Sequence, residues 1–401
     1  MTLFGIPDAH LLVSRIVGRS LAEAEAREYF ARATWSGLAE PGDRLANLVV
    51  RQLGAPLALE AIIERWDAAR LLEHLGGETD LEEVGEAIAR WRPRLESTAA
   101  VRSLTQAGRF AARLLIPGDP LWPAGVDDLG DHAPLALWVR GTDAALVALG
   151  RSIALVGARA ATGYGEHITM EASAGLVDRG YAIVSGAAYG IDGMAHRAAL
   201  ASHGLTVAFL AGGVDRFYPS GHDALLTRIA ETGAVVAELP CGSSPTKWRF
   251  LQRNRLIAAA SQATVVLEAG WRSGSLNTAN HASHIGRPIG AVPGPVTSAA
   301  SAGCHKLIRD LTAVCVTNPD EMAELVPMGE LPRGGPDTER PSAERTRLLD
   351  ALSNRAPRSA RDIAARAGFS VETTQALLGR LELEGVVSER ERGWVRTPTG
   401  N

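Results

Sequence analysis

Between residues 150 and 294 lie six short runs, SIALVG, YAIVSG, LTVAFLAGG, AVVAEL, ATVVLEAG and PIGAVPG, nearly continuous in Ala, Val, Ile and Leu. A strand with one wet face alternates apolar and polar residues. Runs without that alternation are buried on both faces, as in a parallel sheet covered by helices. The intervening stretches carry helical spacing, at about 166 to 179, 191 to 203, 222 to 232, 253 to 262 and 275 to 286. This βαβα alternation predicts an α/β fold with an extended Rossmann-like, doubly wound, mostly parallel sheet. The preceding segment, LLIPGDPLWPAGVDDLGDHAPLALWVRG, is expected to extend the sheet.

A chain of 401 residues is long for one core, and the flanks differ in texture from the centre. Residues 1 to 105 are rich in Ala, Leu, Glu and Arg at helical spacing and predict a small helical domain. Within it RQLGAPLALEAI sets Gly54 and Pro56 between apolar helices, as a helix-hairpin, a SAM-like turn or a plain junction. The Rossmann-like domain is expected over 106 to 325, and the Pro- and Gly-rich stretch 326 to 345 as a linker. Residues 346 to 401 carry three helical patterns and then VVSERERGWVR, two short strands around a turn at Glu391 to Gly393. With Gly368 at the turn and Leu377, Leu378 and Leu381 facing inward, SARDIAARAGFSVETTQALLGRLELEGVV has helix-turn-helix spacing, so this domain is predicted to be a winged helix.

The net charge of −4 gives no global basic character, so any polyanion site must be a local patch. Three cysteines, Cys241, Cys304 and Cys315, have no framework spacing, which argues against disulfides and a Cys-built zinc site. No stretch reaches the roughly 18 apolar residues of a membrane span, and the N-terminal residues lack the pattern of a secretory signal. The expectation is a cytoplasmic protein without membrane contact.

Ligands of open parallel sheets bind beyond the carboxyl ends of the strands, where several loops here carry glycine. GARAATGYG (157 to 165) opens a helix, and its amides suit either a phosphate or a simple tight turn; Arg159 on the loop favours the phosphate. It lacks the spacing of a dinucleotide fingerprint. In SGAAYGIDGMAHRAAL, Gly186 and Gly190 end the second strand, Asp192 is placed to cap a helix, and His196 is expected to pack or hydrogen-bond. LAGGVDRFYP exposes Asp215 and Tyr218 nearby, and the pair His281 and His284 reads as a helix face more than as a metal site.

Basic residues concentrate between 247 and 287: Lys247, Arg249, Arg253, Arg255, Arg272 and Arg287 stand against a single acid, Glu268. Arg253 and Arg255 are expected at a helix start, where the dipole disfavours cations unless an anion is held there. Trp248 and Phe250 interleave with these cations, and aromatic faces beside a basic groove are what single-strand binding requires; the plainer alternative is core aromatics and solvated arginines. SGSLNTA adds hydroxyls and a helix N-terminus on the next loop. No nucleophile elbow, P-loop or paired catalytic carboxylates occur, so no catalytic residue, cofactor or metal is expected.

VSGAAYGIDGMAHRAAL, GGVDRFYP, ELPCGSSPTKWRFLQRNRLIAA, VVLEAGWRSGSLNTA and AVPGPVTSAASAGCHKLI resemble, in order and spacing, the DNA-processing protein A family (DprA, also called Smf). The resemblance implies a cytoplasmic, non-enzymatic homodimer that binds and protects single-stranded DNA and helps load the RecA recombinase in natural transformation and recombination. It implies strand-holding roles for Arg159, Gly186, Gly190, Gly242, Lys247, Phe250, Arg253, Asn254 and Arg255, with Ser273, Gly274 and Ser275 bordering the pocket. The recognition helix VETTQALLGRLELEG, with one Arg and three Glu, suits a protein contact or regulation better than phosphates. An alternative from another class is a nucleotide-processing enzyme of the phosphoribohydrolase type, which shares a Rossmann-like fold, but WRSGSLNTA offers no glutamate where that family has its own. A weaker third reading is a winged-helix transcription factor with a sensing core.

Overall fold

The computed structural model describes residues 4 to 326 apart from 7, 97 and 311, and 343 to 397 apart from 354, 355, 384, 391 and 392. The chain divides into two compact units, Met1–Met328 and Gly329–Asn401. The linker expected over 326 to 345 lies, from 327 to 342, outside the described residues, as does the turn at 391 and 392.

Seven helices open the first unit: α1 (Ala9–Val17), α2 (Glu23–Leu38), α3 (Arg44–Leu53), α4 (Ala55–Ile63), α5 (Ala68–Leu72), α6 (Leu81–Trp91) and α7 (Ala99–Arg109). At Gly54 the backbone adopts φ 78°, which glycine tolerates best, and α3 and α4 meet there at 110°. Then follow β1 (Arg113–Leu115), β2 (Leu137–Gly141), α8 (Asp143–Val147), β3 (Ser152–Gly157), α9 (Gly163–Asp178), β4 (Ala182–Ser185), α10 (Ile191–Ala201), β5 (Thr206–Leu210), α11 (Asp223–Thr232) and β6 (Ala234–Ala237). The unit closes with α12 (Lys247–Ala260), β7 (Ala263–Glu268), α13 (Ser275–His284), β8 (Ile289–Ala291), α14 (Ala302–Arg309), β9 (Val314–Cys315) and α15 (Pro319–Glu324). No single helix among the described residues is long and apolar enough to cross a membrane.

All six apolar runs form strands, in the sheet order β1-β2-β6-β5-β4-β3-β7-β8-β9. From β6 to β9 every pairing is parallel, while β2 joins β6 antiparallel and β1 joins β2 antiparallel. The expected extension is therefore an antiparallel edge. Alternate residues of β3 enter different cores: Ile153 and Leu155 pack with α9 and α10, Ala154 and Val156 with α12 and α13. The chain runs from β3 towards β6, then resumes at β7 on the other side of β3, which opens a crevice beyond the β3 and β7 carboxyl ends.

The helical segment has a core of its own, where Trp35 and Trp91 meet edge to face at 5.1 Å between ring centroids. It also shares one with the sheet. Val13, Phe30 and Leu104 pack with Trp138, Val235 and Ala237, and the Trp138 Nε1–H donates to Ser36 Oγ at 3.2 Å. Near residue 105 the chain thus changes secondary structure without leaving the compact unit.

In the second unit α16 (Ala343–Ala351), α17 (Ala360–Ala367) and α18 (Val371–Leu383) precede the antiparallel pair β10 (Val387–Arg390) and β11 (Gly393–Arg396). Gly368 ends α17 at φ 70°. Leu378 and Leu381 are buried with Leu348 and Ile363, and Leu377 packs at the rim. This is the expected winged helix.

His196 is buried between α10 and β5, as packing and hydrogen bonding require. Thr206 Oγ1 donates its one proton to the Ile183 carbonyl at 2.8 Å, so it accepts from His196 Nδ1–H at 2.7 Å. Among the described residues the ring's Nε2 has no partner, and a proton there would bring an unpaired charge into the core. Burial accordingly pushes His196 from the usual 6.5 down to about 3. Below pH 6.5 the unfolded chain binds a proton that the folded chain refuses, so this residue's stabilisation is lost as pH falls towards 3, at up to ~1.4 kcal/mol per pH unit. Urea denaturation from pH 7.5 to 4.5 is expected to show this loss, and His196→Gln to flatten that part of the profile; an unchanged slope contradicts the assignment.

Candidate nucleic-acid crevice

Glu268 ends β7 fully buried, and its carboxylate accepts hydrogen bonds from the Thr162 backbone N–H at 2.9 Å and the Thr162 hydroxyl at 2.5 Å. Thr162 caps α9, accepting from Gly165 N–H at 3.2 Å. A Cβ on Gly165 would stand 2.4 Å from Glu268 Oε2. The positive end of α9 is thus filled by the chain's own carboxylate. This corrects the phosphate expectation for GARAATGYG: the loop is a braced turn, and its contribution to the crevice is Arg159.

The crevice has a volume of about 650 Å³, and its walls include Arg159, Asp192, Phe250, Arg253, Asn254, Trp271, Arg272, Ser273, Gly274 and Ser275. A trough of about 400 Å³, lined by Lys247, Tyr218 and Thr246, shares Arg159 and Phe250 with it. Phe250 marks the junction. The Arg159 and Arg253 guanidiniums lie 5.2 and 5.8 Å from its ring centroid, within cation–π range, and the Tyr218 ring lies at 5.5 Å.

Arg253 is 5% exposed, and its Nη1 donates to the carbonyls of Gly186 and Phe209, each at 2.6 Å. Burial lowers its pKa to about 10, against the opposing pull of Asp192, so it stays cationic at neutral pH. Asp192 is buried and raised by that burial; its Oδ2 accepts from the N–H groups of Gly186 and Ala188 at 3.2 and 3.4 Å. It thus caps the loop before α10. Gly186 and Gly190 are there for close packing. A Cβ on Gly186 would lie 2.5 Å from the Arg253 guanidinium, and one on Gly190, at φ 74°, 2.3 Å from the Ala158 carbonyl oxygen.

The structure corrects three further expectations. Helix α12 begins at Lys247, with Thr246 Oγ1 accepting from Arg249 N–H at 3.3 Å, so RNR lies in mid-helix and no dipole penalty applies. Residues two apart on a helix point to opposite sides, and Arg255 leaves the crevice. It forms a buried ion pair with Glu238 at 2.6 Å, under the Gly42 loop, beside a separate hollow that also takes Trp248. Gly242, at φ 92°, donates its N–H to Asp215 at 2.9 Å and lines another hollow. Asn254 lines the crevice while tying α12 to α13 through Asn277 Oδ1 at 3.2 Å. The Ser273 and Ser275 hydroxyls meet at 2.8 Å on the far rim. His281 and His284 share α13, and no group of three potential metal-ligating residues occurs among the described ones.

Ion pairing sorts the basic stretch. Arg249 pairs with Glu40 at 2.8 Å, Arg255 with Glu238, and Arg287 with Asp128 at 2.7 Å. None of these acids lies in the stretch itself, so its sequence could not reveal them. Among the described residues no ion pair engages Arg159, Lys247, Arg253 or Arg272, and these four line the crevice or its trough. The bracing role of Glu268 was missed; an acid closing an otherwise apolar strand run was the available signal.

A family model described as DNA recombination-mediator protein A matches residues 113–327, and one described as the DprA winged helix domain matches 332–391. The chain belongs to the DNA recombination-mediator protein A family. It is 41% identical over 379 residues to a putative DNA processing protein DprA of Mycobacterium tuberculosis, covering 91% of this chain and 93% of that one. With protein Smf of Escherichia coli it shares 36% identity over 292 residues, 70% and 77% of the two chains. The X-ray structure of DprA from Streptococcus pneumoniae superposes with a TM-score of 0.60 at 27% identity, covering 76% of this chain and 99% of that one.

Because the DprA-type sheet buries the Arg255–Glu238 pair, removing one partner strands the other. Arg255→Leu is expected to cost about 3–5 kcal/mol in chemical denaturation, and Arg255→Met with Glu238→Leu to recover most of it.

Proposed function

We propose that the crevice binds single-stranded DNA without sequence preference, and that the chain protects the strand and assists its loading with RecA during natural transformation and recombination. In this proposal it works in the cytoplasm as a homodimer formed through the Rossmann-like unit, and it is a binding protein, not an enzyme. The observation that carries the proposal is the segregation of charge: Arg159, Lys247, Arg253 and Arg272, without ion pairs among the described residues, line the crevice and the trough that share Phe250. Cations tracking a backbone beside an aromatic face make a sequence-tolerant single-strand site. The family's description as a recombination mediator supports the same reading. With the α9 terminus filled internally, the helix end that lines the crevice is the start of α13, where Gly274 makes no side-chain cap and Ser273 and Ser275 supply hydroxyls for a backbone phosphate.

Fluorescence anisotropy of a labelled oligothymidylate over a salt series tests the binding step. Each phosphate contact contributes roughly −0.7 to the slope of log K against log salt, so three or four contacts predict a slope of about −2 to −3. Lys247→Glu and Arg159→Glu are expected to weaken binding at least about tenfold, while Arg287→Ala, whose partner is Asp128, leaves it unchanged. Salt-insensitive or absent binding defeats the proposal. Incubation with AMP is expected to release no base, and the chain is expected to accelerate RecA filament assembly on strands precoated with single-strand-binding protein.

A further inference from the structure

Trp271 is 55% exposed and lines the crevice together with Phe250. A large aromatic ring is thus left in water on a loop beside the exposed Arg159 and Arg272 of the same crevice, a π face open to a ligand. Its surroundings are built around it. The Gly303 N–H donates to the Ala269 carbonyl at 2.7 Å, and a Cβ at Gly303 would lie 2.7 Å from the Gly270 carbonyl oxygen, so only glycine lets α14 approach this loop so closely. One helical turn on, the same face of α14 carries Lys306, whose Nζ lies 5.4 Å from the Trp271 ring centroid. The adjacent Arg272 is exposed and has no ion pair among the described residues. The loop thus offers one π face flanked by two cations.

We propose that Trp271 is a second base-stacking station and Lys306 its phosphate-facing companion, so that a bound strand crosses the crevice from Lys247 and Phe250 at one end to Trp271 and Lys306 at the other. This rests on the single-strand reading above and adds to it a direction of travel and a far contact. Stacking on an indole is tolerant of base identity but needs a base, whereas the cations need only the backbone. The two contributions are therefore separable.

The test compares an oligothymidylate with an oligomer of the same length made of abasic deoxyribose phosphate, in anisotropy titrations of the full chain. Trp271→Ala is expected to weaken oligothymidylate binding roughly five- to a hundredfold and to leave abasic binding unchanged, with Trp271→Phe retaining most of the affinity. Lys306→Ala is expected to weaken both ligands and to make the salt slope shallower by about 0.7. Binding of oligothymidylate should quench tryptophan emission in the parent chain, and less so in Trp271→Phe. Unaltered thermal denaturation of the variants shows that the fold is intact. If the parent chain binds and Trp271→Ala binds equally well, or loses both ligands alike, the stacking station is overturned while the single-strand reading stands. If the parent chain binds neither oligomer, both fall together.

Discussion

The crevice depends on one guanidinium. Arg253 reaches from the middle of α12 to the Gly186 and Phe209 carbonyls, at the ends of two neighbouring parallel strands, and so fixes the helix against the sheet where the sheet's loops diverge. Everything around it is shaped to admit it. Gly186 has no side chain because the guanidinium occupies that space, and Asp192 holds the same loop from its N–H side. A buried cation satisfied by neutral carbonyls keeps its charge unneutralised by any direct ion pair. Its field is felt in the crevice it floors, where Phe250 and Arg159 complete the wall.

Around that point the molecule separates two uses of arginine. Towards the helical segment, Arg249 and Arg255 are consumed by Glu40 and Glu238, and this pairing joins α12 to the 40–43 loop and to the end of β6. Towards the crevice, Arg159, Lys247 and Arg272 have no ion pair among the described residues, while Arg253 gives its Nη1 protons to two backbone carbonyls. A single helix serves both purposes because its period sends residues 253 and 255 to opposite sides.

Much of this was legible in the sequence. The six unalternating runs located the parallel strands, since burial on both faces leaves no room for polar residues, and Ser273, Gly274 and Ser275 line the crevice beyond them. What escaped were facts that depend on distant partners. The start of α12 is set by Thr246, a weak cap hidden in an irregular stretch, and the misplaced start made Arg253 and Arg255 look like an anion clamp. The fate of Arg255 was decided by Glu238 and Gly42, far away in the sequence. The boundary drawn at 105 followed a change of secondary structure, but Trp138 and Phe30 belong to one core across it.

The carboxylate of Glu268 at the start of α9 has a further consequence for whatever lies in the crevice. A vacant helix terminus would be a seat, a spot of highest affinity where one phosphate settles and sets the position of the rest. With that seat taken internally, α9 offers no such spot, and the helix end left on the crevice wall is the start of α13 at Ser275. For the proposed strand this means that the α9 side of the crevice fixes no single phosphate, and that its grip there comes from the Arg159 side chain alone.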